Sequence, residues 1–212
     1  MTREREPFPS LFMYYAFKWL VVSPMLHTYW QGKIYGAEKV PKKGPFLVVS
    51  NHASNYDPVL LSCCVGRPVA YMAKEELFDI PVLKTAMKIY GAYPVNRERA
   101  GSGTIKAAME YLENGWGLGV FMGGTRTADG KIAEPKAGAA LIAAKAQVPV
   151  IPISLWGTHE LEVPGRKMPA AAPLTIRIGD ILEPPASSKR ALLDEATAKW
   201  TAEIDRMHEL GR

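Results

Sequence analysis

Short apolar runs of β type alternate with stretches of helical periodicity from residue 45 to the end of the chain. The β-type runs are Phe46–Ser50, Val69–Met72, Leu118–Phe121, Val148–Leu155 and Leu174–Ile178. The helical patterns cover residues 58–65, 77–89, 103–114, 136–146 and 188–210. Because strands that alternate with helices pack as a sheet covered by helices, this pattern predicts an α/β fold with a largely buried sheet.

The composition limits the class of protein. With 212 residues, 48% of them hydrophobic, the chain fits one globular domain with a short appendage. Its net charge of +5 is too small to indicate nucleic-acid binding, but it suits an anionic surface or substrate. The two cysteines, Cys63 and Cys64, are neighbours that can hardly bridge each other, so we expect core positions and a reducing compartment.

The N-terminal stretch from Pro7 to Gln31 is apolar and aromatic, with Lys18 as its only Lys or Arg and no acid. A membrane-spanning helix needs about 20 consecutive apolar residues, and Lys18, Pro24 and His27 interrupt this run. Trp and Tyr rings favour the headgroup region of a bilayer, and lysines that follow an interfacial helix attract anionic lipid. Four such lysines follow: Lys33, Lys39, Lys42 and Lys43.

We therefore predict an amphipathic or re-entrant anchor at residues 1–32, lying in one leaflet, and an α/β domain at residues 33–212. The protein would then be membrane-associated and monotopic, facing the cytoplasm. The alternative, an N-terminal helical hairpin packed on the protein's own core, stays open.

The segment VVSNHASNYDP, residues 48–58, joins the first apolar strand to the first helix of the domain. Asp57 precedes Pro58, and proline favours the first helical position, so we predict Asp57 as the helix cap. His52 then lies on the loop at the C-terminal edge of the sheet, where open α/β folds bind ligands.

The spacing of His52 and Asp57 suggests a catalytic pair. A turn between them can fold the imidazole back to the carboxylate, which would hold one ring nitrogen and leave the other as a general base. The simpler alternative is an ordinary helix cap beside an unrelated loop histidine.

Two later segments carry candidate anion-binding residues. Arg97 follows the short extended stretch Tyr93–Val95, and its guanidinium suits bidentate capture of phosphate or carboxylate. In GLGVFMGGTRTADGK, residues 117–131, a strand runs into glycines whose N–H groups can converge on an oxyanion, and Thr125 and Arg126 add a hydroxyl and a charged fork. The alternatives are a solvated charged loop and an ordinary glycine-rich loop.

No cofactor or metal is predicted. The glycines 115, 117 and 119 precede a strand rather than a helix, so they are not a dinucleotide fingerprint, and the chain has no P-loop. His27, His159 and His208 lack partners at the spacing of metal ligands.

Four segments in this order, NHASNYD, LFDIPVLKTAMKIYGAYPVNR, FMGGTR and VPVIPI, resemble the four sequence blocks of the 1-acylglycerol-3-phosphate acyltransferase family. The resemblance runs from Ile34 to Glu160. It implies a mixed, mostly parallel sheet flanked by helices. It also implies an enzyme that moves a fatty acyl group from acyl-CoA or acyl carrier protein to the sn-2 hydroxyl of lysophosphatidic acid, forming phosphatidic acid.

On this resemblance His52 is the catalytic base and Asp57 orients it. The residues that would hold the acceptor phosphate are Arg97, Gly124, Thr125, Arg126 and Lys74. The implied partners are the thioester donor, a lysophospholipid acceptor and a membrane surface, without nucleic acid.

One departure from the family pattern concerns the third block, which usually reads F-P-E-G-T-R. This chain has Met122 and Gly123 in place of proline and glutamate, and Gly123 offers no carboxylate to place the acceptor or its arginine. Glycerol 3-phosphate or another lysophospholipid therefore stays open as the acceptor, as does a membrane phospholipid-binding protein with impaired catalysis.

Overall fold

The computed structural model describes residues 8–74, 79, 87, 91–95, 102–166 and 168–212, with the backbone alone at 74, 94, 95 and 102. Most of the helix predicted at 77–89 lies outside these residues, and so do Arg97 and the side chain of Lys74.

A seven-stranded sheet forms the centre of the described chain. Its strands are β1 (Lys33–Tyr35), β2 (Phe46–Ser50), β3 (Val69–Lys74), β4 (Tyr93–Val95), β5 (Gly117–Phe121), β6 (Val150–Trp156) and β7 (Thr175–Ile178). In the order β1-β7-β6-β2-β5-β3-β4, the five strands from β6 to β4 are parallel, while β7 is antiparallel to β6 and parallel to β1. The predicted mixed, mostly parallel sheet is confirmed. The prediction missed β1, whose three residues form no apolar run.

Helices cover both faces of the sheet. They are α1 (Phe8–Phe17), α2 (Asp57–Val65), α3 (Ser102–Glu113), α4 (Gly138–Ala146) and α5 (Arg190–Glu209). Successive residues of β2 enter two separate cores: Leu47 and Val49 pack with α3, α4 and α5, whereas Phe46 and Val48 pack with α2 and the N-terminal segment. This alternation is the two-residue period of a strand buried on both sides.

The N-terminal segment continues from α1 through two π-helical turns, Lys18–Val22 and Met25–Tyr29. One side of it packs on the domain: Leu26 is fully buried, the Tyr14 hydroxyl donates to the Ser62 carbonyl, and the Trp30 indole donates to the Ala170 carbonyl at 3.0 Å. Packing on the protein's own core, the alternative left open above, is therefore observed for this side.

The other side of the same segment is exposed and apolar. Its exposed side chains are Phe8, Phe12, Met13, Phe17, Trp19, Leu20, Val21 and Tyr29. Within the described ranges, no helix has both the length and the apolar character needed to cross a bilayer. The segment thus has a core-facing side and an exposed apolar side.

Candidate active site

The turn between β2 and α2 brings His52 and Asp57 together. His52 Nδ1 lies 2.8 Å from Asp57 Oδ2, and the same oxygen accepts the backbone N–H groups of Ala53 at 2.7 Å and Ser54 at 2.8 Å. The Asp57 side chain is completely buried, while 13% of the His52 side chain is exposed. Because Nδ1 is bound to the carboxylate, Nε2 is the ring nitrogen left for proton transfer.

The helix cap was assigned to the wrong residue. Tyr56 is the N-cap of α2, and Asp57 is the first helical residue. The Asp57 carboxylate bonds amides that precede the helix, because the turn curls residues 52–54 over it, rather than the free amides of the first helical turn.

The imidazole is also held by an aromatic face. The rings of His52 and Phe121 stack with centroids 3.9 Å apart and planes 13° from parallel. Phe121 is the last residue of β5 and pairs in register with Ser50 at the end of β2. Sequence reasoning gave Phe121 no role in the site, although its place at the end of the neighbouring strand was a usable signal.

Asn51 links the elements at this edge of the sheet by hydrogen bonds. Its side-chain Nδ2 donates to the carbonyls of Gly130 at 2.6 Å and Leu155 at 2.8 Å, and its Oδ1 accepts the Leu155 N–H at 2.8 Å. Because Asn51 is buried, leaving its side-chain amide without these partners would destabilise the fold. It joins the His52 turn to β6 and to the loop that contains Gly130.

The glycine-rich loop after β5 runs beside His52. The Gly124 N–H donates to the Phe121 carbonyl at 3.1 Å with a φ of 71°, a left-handed conformation that glycine adopts without strain. The Thr127 N–H donates to the His52 carbonyl at 2.9 Å. This bond ties the loop to the backbone of His52. Thr125 and Arg126 are exposed on the same loop.

A second positively charged side chain, that of Lys136, lies at this loop and was not predicted from the sequence. A Cβ on Gly124 would lie 3.5 Å from Lys136 Nζ, and Lys136 is exposed. Its signal in the sequence is weak, because a lone lysine in a loop is normally a solvated surface residue.

Arg126 is paired with a carboxylate from another part of the chain. Arg126 Nη1 lies 3.0 Å from Oε2 of Glu162, which follows the 3₁₀ turn Thr158–Leu161 after β6. Partial burial of the Glu162 side chain raises its pKa, but hydrogen bonds from Asn55 and Ser54 and the charge of Arg126 lower it more. The pKa of Glu162 is therefore below its usual value. Sequence reasoning missed Glu162, and no motif marks it.

The structure thus brings five of the predicted site residues to one edge of the sheet: His52, Asp57, Gly124, Thr125 and Arg126. Arg97 and the side chain of Lys74 lie outside the described residues, although the Lys74 backbone ends β3. Their proximity to His52 stays a prediction.

Comparison with known proteins identifies the family. The sequence model described as Acyltransferase matches residues 31–156, more than half of the chain, and includes the His52 turn, the glycine-rich loop and all of β6. The chain belongs to the acyltransferase family.

The chain has relatives in plants and bacteria. It is 34% identical over 208 residues to a chloroplastic 1-acyl-sn-glycerol-3-phosphate acyltransferase of Brassica napus, and 31% identical over 209 residues to one of Arabidopsis thaliana. These matches cover 92% and 94% of this chain but only 58% and 56% of the plant proteins. The chain thus spans little more than half the length of these plant relatives.

A bacterial relative and a solved structure match it over most of their length. The 1-acyl-sn-glycerol-3-phosphate acyltransferase of Bacillus subtilis is 27% identical over 180 residues, covering 82% of this chain and 87% of its own. The crystal structure of the 1-acyl-sn-glycerophosphate acyltransferase from Thermotoga maritima superposes with a TM-score of 0.69 at 26% identity, covering 94% of this chain and 89% of that one.

Proposed function

We propose that this protein transfers a fatty acyl group from the thioester of acyl-CoA or acyl carrier protein to the sn-2 hydroxyl of lysophosphatidic acid, forming phosphatidic acid. The observation that carries the proposal is the bond between His52 and Asp57 at the sheet edge, beside the exposed Arg126. Its relatives are named for this reaction, although their full lengths differ from that of this chain.

The proton transfer follows from how His52 is held. Asp57 keeps the ring proton on Nδ1, so Nε2 can accept the proton of the acceptor hydroxyl. The resulting alkoxide-like oxygen forms a bond to the thioester carbonyl carbon. Collapse of the tetrahedral intermediate breaks the carbon–sulfur bond, and the thiolate takes the proton back from the imidazolium.

Direct transfer is favoured over a covalent acyl-enzyme. Cys63 and Cys64 are buried in α2, where burial raises the pKa of both thiols and keeps them from acting as thiolates. The Ser54 hydroxyl donates to Glu162 rather than to His52. Among the described residues of this turn, none is therefore placed as a nucleophile activated by His52.

The acceptor phosphate would be bound by the basic side chains at this edge. Arg126 is exposed beside the His52 turn, with Gly124 shaping its loop and Thr125 adding a hydroxyl. The Gly124 N–H already donates within the loop, so the contribution of Gly124 is to backbone shape. Arg97 and Lys74 complete the proposed phosphate site, and Lys136 adds positive charge.

Arg97→Ala should raise the KM for lysophosphatidic acid with little change in kcat, because it removes a charged hydrogen-bond donor from bound phosphate. A hydrogen bond to a charged group contributes about 1.5–3 kcal/mol, so we expect a rise of about 10- to 100-fold. Steady-state kinetics with the matched variant Arg99→Ala as control tests this. Equal KM values for both variants would remove Arg97 from the site.

The exposed apolar side of the N-terminal segment would hold the protein at a membrane that contains its lipid acceptor. We propose residues 1–32 as an interfacial anchor on the cytoplasmic leaflet, and Leu20, 79% exposed, as one of its inserted side chains.

Leu20→Glu should lower the affinity for phosphatidylglycerol vesicles by about 10-fold, since it exchanges burial of a leucine for desolvation of a charge. Sedimentation with vesicles measures the affinity. Ile181→Glu, at a site 45% exposed outside this segment, is the matched control. An equal loss in both variants would contradict the anchor.

The identity of the acceptor needs its own test, because Gly123 supplies no carboxylate to the third block. Release of free thiol from acyl-CoA, measured with lysophosphatidic acid, glycerol 3-phosphate and other lysophospholipids, separates the candidate acceptors. If no thiol is released with any of these acceptors, from either acyl-CoA or acyl carrier protein, a phospholipid-binding protein that has lost catalysis is favoured.

A further inference from the structure

Glu162 bridges the two halves of the candidate site. Its Oε1 accepts the Ser54 hydroxyl at 3.0 Å and the Asn55 backbone N–H. Its Oε2 accepts the Asn55 side-chain amide at 3.1 Å and Arg126 Nη1 at 3.0 Å. One carboxylate thus joins the turn between His52 and Asp57 to the glycine-rich loop.

We propose that Glu162 is a positioning residue, which holds the Arg126 guanidinium beside the His52 turn so that Arg126 binds the phosphate of the acceptor. The proposal rests on the function proposed above and names a residue outside the four sequence blocks that governs acceptor binding.

The contact between Glu162 and Arg126 matters for position rather than for stability, because the carboxylate is held in place by other residues. The side chains of Arg126 and Glu162 are 46% and 35% exposed, and an isolated ion pair at that exposure contributes only about 0–1 kcal/mol to stability. Glu162, however, is already bound by three donors from Ser54 and Asn55. Its main effect is therefore on where the guanidinium sits rather than on the stability of the fold.

The pairing leaves Arg126 able to bind an anion. A guanidinium has five N–H donors, and the bond to Glu162 uses one nitrogen, Nη1. Among contacts with described residues, the other nitrogens of Arg126 have no protein acceptor. A phosphate can therefore bind the free edge of the fork while Glu162 holds its other edge.

The local sequence gives a reason why this carboxylate matters here. Gly123 has no side chain, and a Cβ built on it would find the Thr125 carbonyl oxygen as its nearest neighbour, 3.7 Å away. The loop thus has room for a side chain at this position but carries none. Glu162, from the segment after β6, supplies a carboxylate to Arg126.

Glu162→Gln is the principal test, because glutamine keeps an acceptor for the turn and loses the charge that holds Arg126. We expect the KM for lysophosphatidic acid to rise about 5- to 10-fold, with kcat and the KM for acyl-CoA changed less than about twofold. In an Arg126→Gln background the same substitution should have no further effect, because the partner is gone.

The matched control is Glu160→Gln, two residues earlier on the same loop. Glu160 Oε1 lies 3.8 Å from His159 Nε2, and the side chain is half exposed. The KM of the Glu160→Gln enzyme for lysophosphatidic acid should therefore match that of the wild type. If Glu162→Gln behaves like Glu160→Gln, or if its effect persists in the Arg126→Gln background, the proposal is overturned.

Two further variants keep the test decisive. Gly123→Glu, combined with Glu162→Gln, should restore part of the lost acceptor affinity, since it returns a carboxylate to the loop beside Arg126. If Glu162→Gln does not fold, Glu162→Asp keeps the charge and shortens its reach, and a smaller rise in KM is expected. An unchanged KM in folded Glu162→Asp would then count against the proposal.

Equilibrium binding separates this proposal from the proposed reaction. Lysophosphatidic acid binding to the His52→Ala protein, measured by calorimetry, needs no turnover, and Glu162→Gln should weaken it about 5- to 10-fold. If Glu162→Gln weakens lipid binding but the wild type releases no thiol, the proposed reaction is refuted and the positioning role stands. Binding unaffected by Glu162→Gln in an active enzyme would refute the positioning role alone.

Discussion

His52→Ala should lower kcat for acyl transfer by about 100- to 10,000-fold, the range over which a positioned general base accelerates a reaction. The fold should persist, because Asp57 keeps the Ala53 and Ser54 amides as donors after the imidazole is removed. Thiol release from acyl-CoA in the presence of lysophosphatidic acid measures the loss.

The matched control for this loss is His159→Ala. His159 follows β6, outside the His52 turn, and its Nε2 lies 3.8 Å from the Glu160 carboxylate, so replacing it should leave kcat within about twofold of the wild type. Normal turnover in His52→Ala would refute His52 as the base, together with the whole mechanism.

Asp57→Asn should lower kcat by about 1,000- to 10,000-fold, in line with the effect of this change on other His–Asp pairs. A neutral amide stabilises the imidazolium poorly. If its NH₂ group faces Nδ1, the ring proton moves to Nε2, where it blocks proton uptake from the acceptor. The KM values should change little, since Asp57 is buried away from substrate.

Asp57→Asn should also destabilise the protein by about 1–3 kcal/mol, because two backbone amides lose a charged acceptor. Asp194→Asn, which removes an exposed contact with Arg190 on α5, should cost less than about 0.5 kcal/mol and leave kcat unchanged. Unfolding by urea measures both. An active Asp57→Asn enzyme would show that the carboxylate does not orient the base.

The parts of the fold that follow from local pattern were predicted well. The apolar run Phe46–Ser50 became β2 with the same bounds, because a continuous run of buried residues is typical of a central parallel strand. The short edge strand β1 escaped prediction, since its pairing with β7 comes from contacts 142 residues apart in register, as between Lys33 and Thr175.

The N-terminal segment was predicted in part. Its apolar, aromatic composition predicted an interfacial anchor, and in the structure one side of the segment packs on the domain while the other is exposed. Tyr14 and Leu26 pack on α2 and the sheet, whereas Trp19 and Leu20 point away. Composition alone cannot assign these sides, because aromatic and apolar residues occur all around the helix.

The sequence by itself determined the central strands of the sheet and the candidate base with its carboxylate, because strand periodicity and a five-residue turn are local properties of the chain. Only the tertiary structure decided what surrounds them. Phe121 stacks on His52 because β5 lies beside β2, and Glu162 reaches Ser54 across 108 residues because β6 lies on the other side of β2. Such neighbours are set by the order of strands in the sheet, which brings residues distant in sequence to a common edge.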